Sequence, residues 1–304
     1  MKWTSKFIDL WNGDIKEKRA IMISEILGDH GYPKGRPYYK DTKLRIVNDF
    51  EYTEREINES LRMKTDFEYF LHRGIFVNKM QIGIRDYQKN ILTVMNESKG
   101  FDIFRVSRQI GISTMIRVFC MWMAISKGGN VTVVLPDKSD CEEQLRILVD
   151  MLSSLPYFLQ PVVSHLGKDH IIFDNGCSVR FGVDVGRKGG HDVLIFDKVA
   201  FNDNFKRLFD MHIPRGPFVP ANFSEKVFIF STPRRESFFN TLYLSDNYIF
   251  NRHTYTIDVL NVSEKWLDYV RSSISDYDFL VEYMCCMDET KLERVKKIGH
   301  LLNK

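Results

Sequence analysis

The sequence predicts an α/β fold built around a largely parallel sheet. Short apolar segments alternate with helix-like segments from residue 100 onwards. Residues 193–196 and 227–230 are continuously apolar, which is typical of strands buried on both faces. Residues 113–125 are apolar nearly all round, which indicates a helix buried inside the protein.

The composition fits a globular protein that builds its own core. Of the 304 residues, 44% are hydrophobic and 27% are charged, which excludes wholesale disorder and fibrous structure. No apolar stretch approaches the ~20 residues of a membrane span, and the N-terminal segment lacks the apolar core of a signal peptide. The five cysteines and eight histidines show no metal-binding spacing, so we expect a reducing compartment and no His/Cys metal site.

The elements of the predicted sheet can be assigned in chain order. Asn175-Gly176 is a strong hairpin signal between two apolar segments. Ser139 or Asp140 is the predicted N-cap of the helix after the second strand. The predicted elements are a strand at 101–106, a helix at 113–125, a strand at 130–135, a helix from 139 or 140, strands at 171–173 and 178–183, and strands at 193–196 and 227–230.

The sequence pattern divides the chain into three parts. Residues 1–80 are polar and show helical periodicity, with a helix at about 53–71 and a loop at 31–37. Residues 81–288 carry the alternating strands and helices and form the predicted core. Residues 289–304 form a short basic tail.

A candidate phosphate-binding loop joins the first predicted strand to the buried helix. Such a junction points backbone N–H groups and the positive end of a helix at one spot. The phosphate-loop pattern is glycine, four residues, then Gly-Lys-Ser/Thr. Gly111 and Ser113 match it, but Val106 replaces the first glycine and Ile112 replaces the lysine. An ordinary strand-to-helix turn that contains a glycine is the alternative.

A second candidate site element is the strand end at residues 193–197. Four apolar residues followed by Asp197 match a Walker B strand, whose aspartate holds Mg²⁺ together with the serine of the phosphate loop. The next residue in that pattern is normally a glutamate that orients the attacking water, and here it is Lys198. Buried strands ending in aspartate are common, so this motif is weak by itself.

Taken in order, these segments resemble the N-terminal ATPase domain of the large terminase subunit of tailed phages, the DNA-packaging motor, of the T4-like type. The resemblance covers roughly residues 65–290, and several matches in the right order are more specific than any one of them. The matches are Arg85-Asp86-Tyr87-Gln88 with the adenine-recognising motif, Ser107-Arg108-Gln109-Ile110-Gly111 with the phosphate loop, residues 155–161 and 174–176 with segments between the Walker motifs, Asp197-Lys198-Val199-Ala200-Phe201 with the Walker B ending, and Ser231-Thr232-Pro233 with the coupling motif.

The resemblance implies a RecA-like, phosphate-loop NTPase fold, a three-layer sandwich, with ATP and Mg²⁺ as candidate cofactors. It places Ser113 and Asp197 around the Mg²⁺ and makes Arg108 an arginine finger that acts within its own chain. Ser231 and Thr232 fall in the coupling motif. The implied nucleotide-binding positions are Tyr87, Gln88, Ser107, Arg108, Gln109, Gly111, Ile112, Ser113 and Thr114.

Two departures from the family fall on the chemistry. Ile112 replaces the lysine that contacts the β- and γ-phosphates, and an isoleucine cannot contact phosphate. Lys198 replaces the glutamate that positions water, and a protonated lysine is no base. Together they predict a pseudo-ATPase with no intact catalytic residue, in which Arg108 and Lys198 are remnants. A third departure is that the nuclease domain that follows in terminases is not expected after residue 288.

Three functions stay open at this stage. The first is a terminase-derived pseudo-ATPase. The second is an active motor in which Lys198 swings toward the phosphates and replaces the missing lysine; the alternative for Lys198 is a surface or ion-pairing lysine. The third is an unrelated α/β protein that binds a phosphate-containing ligand. For Arg108 a structural ion pair is an equal alternative to the arginine finger, and for Tyr87 and Gln88 packing or helix capping is an equal alternative to adenine contact.

The resemblance also implies partners and a location. The candidate partners are double-stranded DNA, the portal and other packaging-motor proteins. The implied location is the host cytoplasm, as a viral protein with no membrane contact. An oligomer is possible, since the motors of this family work as rings, but the sequence does not give the oligomeric state. The net charge of +3 is too small to indicate nucleic acid by itself. The segments Arg187-Lys188, Arg234-Arg235 and the basic tail could face DNA phosphate, and scattered solvated charges are the alternative.

Overall fold

The structure is a computed structural model. It describes residues 42–46, 53–77, 80–185, 190–213, 226–246, 250–288 and 290–293. The chain divides into two compact units. Unit 1 comprises Met1–Arg85, Cys120–Gly129 and Leu145–Val179, and unit 2 comprises Asp86–Phe119, Asn130–Gln144 and Arg180–Lys304.

The described elements follow one another as strands and helices along most of the chain. The strands are β1 Phe76–Val77, β2 Met80–Gln81, β3 Phe101–Val106, β4 Asn130–Val134, β5 Val163–Leu166, β6 His170–Phe173, β7 Ser178–Gly182, β8 Val193–Asp197, β9 Lys226–Ser231 and β10 Asn251–Tyr255. The α-helices are α1 Glu54–Thr65, α2 Phe67–Arg73, α3 Asp86–Glu97, α4 Ile112–Trp122, α5 Lys138–Ser153, α6 Phe205–His212, α7 Phe238–Leu244, α8 Glu264–Ser273 and α9 Asp276–Asp278.

A largely parallel sheet organises the fold, so the predicted fold class is confirmed. Its eight strands are ordered β10-β3-β9-β8-β4-β7-β6-β5, and β1 and β2 form a separate pair. The pairs β10–β3, β3–β9, β8–β9 and β4–β8 are parallel, whereas β5 and β6 are antiparallel. Because β3, β8 and β9 run the same way, their carboxyl ends meet at one edge, where α/β proteins place their ligand sites.

The two continuously apolar segments of the sequence become adjacent central strands. In β8 every residue is buried, and its Ile195 lies opposite Phe228 of β9 in a parallel register. Aromatic rings of unit 2 complete this core: the Phe104 and Phe230 rings stack with centroids 4.4 Å apart, and Phe196 meets Phe205 edge-on at 5.4 Å. The expectation that both segments share one sheet is therefore confirmed.

Three helix boundaries differ from the prediction. The helix predicted at about 53–71 breaks at Asp66, which has extended backbone and accepts the Tyr69 N–H, so that α2 starts anew. The helix predicted at 113–125 ends its α-helical part at Trp122 and continues as a π-helical turn, Met123–Lys127. In α5 the carboxylate of Asp137 accepts the Asp140 N–H at 2.8 Å, so the predicted cap at 139 or 140 is wrong by two or three residues.

The hairpin was predicted correctly, but the short pair β1 and β2 and two strands of the eight-stranded sheet were missed. Gly176 has the left-handed φ of 83° that the turn needs, and the Cys177 N–H donates to Asn175 Oδ1 at 3.0 Å. The missed strand β10 is polar and largely exposed because it lies at the edge of the sheet. The missed β5 has two exposed residues in the middle and therefore shows no apolar run.

Some predictions fall outside the described residues. The loop predicted at 31–37 does, and so does most of the expected basic tail. The three-part division of the chain into 1–80, 81–288 and 289–304 stays a prediction. Among the described helices, none is both long and apolar enough to span a bilayer.

Candidate phosphate-loop site

The candidate site begins in the loop between β3 and α4. Gln109 and Gly111 have left-handed backbone, with φ of 63° and 82°. This turn leads directly into α4, whose first N–H groups have no partner within the helix. Among the described residues, the N–H groups of 109–113 have no protein acceptor. The loop therefore presents backbone donors of the kind that hold phosphate.

Three hydrogen bonds from distant segments of unit 2 hold the loop in place. The Ser107 N–H donates to the carbonyl of Tyr255 in β10 at 2.8 Å. The Arg108 N–H donates to the carbonyl of Glu282, in the π-helical turn Phe279–Tyr283, at 2.9 Å. The hydroxyl of Tyr87 in α3 donates to the carbonyl of Ile110 at 2.7 Å. The shape of the loop is thus fixed by contacts on both of its sides.

The side chain of Arg108 forms an ion pair. Its Nη1 lies 2.7 Å from Glu282 Oε2, so the same glutamate binds both the backbone and the guanidinium of Arg108. The hydrogen bond with Glu282 raises the pKa of Arg108 above its ordinary value. The structure thus shows the ion pair that was the alternative to the arginine finger, and the finger role stays a prediction.

The two residues of the adenine-recognising motif lie beside the loop. Tyr87 is buried and uses its hydroxyl on Ile110, which is a packing role. Gln88 lies against Gly111, because its Nε2 is 3.1 Å from the place where a β-carbon on this glycine would sit. The structure thus brings the predicted motif and the predicted loop together, while contact of either residue with adenine stays a prediction.

Ser113 and Asp197 meet as expected at the carboxyl edge of the sheet. The Ser113 hydroxyl, in the first turn of α4, donates to Asp197 Oδ2 at the end of β8 at 2.9 Å. Asp197 is only 5% exposed. Burial raises the pKa of its carboxyl above the ordinary value, against the opposing effects of the Ser113 hydrogen bond and of the Lys198 charge. The predicted closeness is confirmed, while a role in holding Mg²⁺ is not tested by it.

The side chain of Lys198, at the end of β8, extends to α5. Its backbone is left-handed, with φ of 58°, and its Nζ lies 2.5 Å from Asp140 Oδ2. The side chains are partly accessible, 43% for the lysine and 26% for the aspartate. Partial burial would lower the pKa of Lys198, but the Asp140 carboxylate outweighs it and raises the pKa. The structure therefore shows an ion-pairing lysine that stays protonated.

Sequence reasoning missed the cation inside the site. Arg117 of α4 is buried, donates to Thr114 Oγ1 at 3.0 Å, and also donates to Gln144 Oε1 of α5. Burial raises the pKa of Asp197, and the Arg117 charge is the smallest of the influences that lower it, after the Ser113 hydrogen bond and the effects of Lys198. The signal was present in the sequence, since Arg117 is the only charged residue in the apolar segment 112–122.

The predicted coupling residues follow the neighbouring strand. Ser231 ends β9, is buried, and its Oγ accepts the N–H of Ala200 at 3.0 Å. Ala200 lies in the 3₁₀ turn Val199–Phe201, which starts immediately after Lys198. This hydrogen bond connects the end of β9 with the segment that follows Asp197. Thr232 is half-buried.

Solved structures with a similar fold are ATPase domains and full chains of phage large terminases. The Thermus phage P74-26 large terminase ATPase domain superposes with a TM-score of 0.51 at 15% identity, over 73% of this chain and 98% of that domain. The HK97 bacteriophage large terminase gives a TM-score of 0.51 at 14% identity, over 79% of this chain. The chain has the fold of a large-terminase ATPase domain.

At 14% and 15% sequence identity, these structures show similarity of fold alone. This chain covers 52% of the HK97 large terminase, so it spans about half the length of that protein. No protein-family model matches the sequence, and no curated protein matches it. The predicted terminase-like ATPase fold is confirmed by these structures, whereas the degenerate motifs must be judged from the site itself.

The left-handed glycine of the loop gives a first prediction. In Gly111→Ala the new β-carbon would be strained at a φ of 82° and would meet Gln88 Nε2. We expect a loss of roughly 1–2 kcal/mol in the free energy of unfolding, measured with urea. Gly100→Ala is the matched control, since it flanks the other end of β3 and its β-carbon would have no neighbour within 4 Å. Equal stabilities of the two variants would contradict the described loop.

The buried carboxyl of Asp197 gives a second prediction. Because burial raises its pKa in the folded state above that in the unfolded chain, the free energy of unfolding falls as the pH rises from the unfolded to the folded pKa, and it stays low above the folded pKa. Asp197→Asn should therefore raise the Tm at pH 8, and the gain should shrink as the pH falls through the raised pKa. Asp203→Asn, an exposed residue of the same unit, is the control, with no such trend expected. A gain that is independent of pH would refute the account.

Proposed function

We propose that this chain is a terminase large-subunit-like protein related to viral DNA packaging that has kept the motor fold and lost ATP hydrolysis. It acts in the host cytoplasm by binding DNA or packaging-motor partners. The observation that carries this proposal is the ion pair between Lys198 and Asp140. The residue after the Walker B-like Asp197 is therefore a protonated amine bound to Asp140, at the position where the family has a carboxylate.

The two positions that assist γ-phosphoryl transfer in phosphate-loop ATPases, the loop lysine and the glutamate after the Walker B aspartate, carry other residues here. In phosphate-loop NTPases the loop lysine offsets the charge on the β- and γ-phosphates. Ile112 is apolar and only 8% exposed, so it supplies no charge to a phosphate. A glutamate would orient or deprotonate the attacking water, whereas Lys198, whose pKa Asp140 raises against the effect of burial, remains a cation at neutral pH.

The alternative function is an active motor in which Lys198 replaces the phosphate-loop lysine. The free N–H groups of the loop favour binding of some phosphate. Against catalysis, a movement of Lys198 to the phosphates would break its pair with Asp140 and leave that partly buried carboxylate without its cation. Weak nucleotide binding without hydrolysis is the outcome that these two observations favour.

The third prediction concerns ATP hydrolysis by the purified full chain. With Mg²⁺ and ATP, phosphate release should not exceed that of a blank without protein. Loss of one charge-stabilising group can lower such rates by a factor on the order of 10³–10⁵, and here two positions have changed. The measurement is steady-state phosphate release, together with nucleotide affinity by fluorescence.

Engineered variants make the test decisive. Ile112→Lys with Lys198→Glu restores both family residues, and adding Asp140→Asn keeps the new glutamate from facing a second carboxylate. This triple variant should gain nucleotide affinity and slow hydrolysis, whereas Ile112→Lys alone should gain affinity only. Clear hydrolysis by the unmodified chain that Lys198→Ala abolishes would establish the active motor instead.

The fourth prediction concerns DNA. Of the basic segments named from the sequence, the structure describes Arg234, Arg235 and, from the tail, Lys291, all exposed. Arg234 lies over the Phe201 ring at 5.5 Å and donates to the Ala200 carbonyl at 3.5 Å, which places it at the rim of the candidate site. If these arginines bind phosphate, Arg235→Gln should weaken duplex binding and lower the salt slope, log Kd against log[salt], by about 1.

The control for the DNA measurement is Arg146→Gln in α5. Its side chain is exposed and pairs with Asp150 at 3.3 Å. Its removal should leave affinity and salt slope unchanged, as measured by fluorescence anisotropy of labelled duplexes at several salt concentrations. Binding of the unmodified chain that does not depend on salt would contradict a phosphate contact and direct the search to protein partners.

A further inference from the structure

The single ammonium group of Lys198, at the end of β8, acts on three aspartate carboxyls. The Nζ of Lys198 contacts Asp140, and the Lys198 charge also acts on the carboxyls of Asp197 and Asp137. Asp197 is buried and Asp140 partly buried, so neither can rely on water alone to stabilise a negative charge. A positive charge is therefore needed at this place.

Phosphate-loop ATPases supply such a charge as Mg²⁺, held between a serine and an aspartate. Here the Ser113 hydroxyl donates directly to Asp197 Oδ2, and two cations, Lys198 and Arg117, act on the same carboxylate. These residues do not fit a resident Mg²⁺.

We propose that the ammonium of Lys198, which contacts Asp140 at the end of β8, is a tethered cation that takes the place of a divalent ion there, so that this edge of the sheet is complete without Mg²⁺. The inference rests on the proposed function in one respect: a protein that does not hydrolyse ATP does not need Mg²⁺ at this site. The experiment below contains no nucleotide, so its failure is distinguishable from hydrolysis by the unmodified chain.

The backbone of Lys198 supports a structural role of this kind. A left-handed residue other than glycine costs roughly 1–2 kcal/mol and persists where the surrounding contacts require it. The Lys198 carbonyl accepts the Phe201 N–H at 3.0 Å and starts the 3₁₀ turn, while its side chain reaches α5. The residue thus connects β8, the turn and α5, as a bound ion connects its ligands.

The test is thermal unfolding of the full chain in EDTA and in 10 mM MgCl₂ at equal ionic strength. The variants are Lys198→Gln, which removes the charge, and Lys198→Arg, which keeps it; both have unbranched side chains and equal backbone strain at this position. Lys206→Gln, an exposed residue of α6, is the matched control. All four proteins, including the unmodified one, are compared without nucleotide.

We expect the Tm of the unmodified chain, Lys206→Gln and Lys198→Arg to be insensitive to Mg²⁺. In EDTA, Lys198→Gln should unfold about 3–8 °C lower than Lys206→Gln, because it leaves carboxylates without their cation. Mg²⁺ should recover about 3–5 °C of that loss in Lys198→Gln alone.

Two results would overturn the proposal. One is a Lys198→Gln variant as stable in EDTA as Lys206→Gln, which would show that the charge is not needed. The other is an unmodified chain whose own Tm rises by about 3–5 °C on addition of Mg²⁺, which would show a divalent site beside the lysine. The second result is measurable even if Lys198→Gln does not fold.

Discussion

The hydrogen bond between Ser113 and Asp197 ties the start of α4 to the end of β8, and the arrangement of the whole site depends on it. It is formed because β3 and β8 are parallel and each ends at the same edge of the sheet. The loop that precedes Ser113 and the lysine that follows Asp197 are thereby brought side by side.

Around that junction, the polar side chains satisfy one another. The Arg108 guanidinium binds Glu282, and the Lys198 ammonium binds Asp140. Arg117 binds Thr114 from within α4. Each of these cations is thus bound by another protein group. The proposed loss of hydrolysis agrees with this pairing, because a nucleotide-hydrolysing enzyme needs such groups available to its ligand.

The sequence allowed the fold to be predicted because its central strands are buried on both faces. The continuously apolar residues of β8 and β9 predict strands buried on both faces. The order of the short motifs placed the loop before α4. The edge strand β10 escaped prediction because its exposed residues remove the apolar run. The partners of Arg108 and Lys198 escaped it because they lie 174 and 58 positions away in the chain, and no local pattern links such residues.

The hydrogen bonds that fix the phosphate loop also affect when this loop can fold during synthesis. Ser107 and Arg108 are held by Tyr255 and Glu282, which are synthesised long after them. Closing such long loops has an entropic cost, and contacts of high sequence separation form slowly. On the ribosome, β3 and α4 therefore emerge well before the loop between them can take its final shape. The site is among the last parts of the molecule to form.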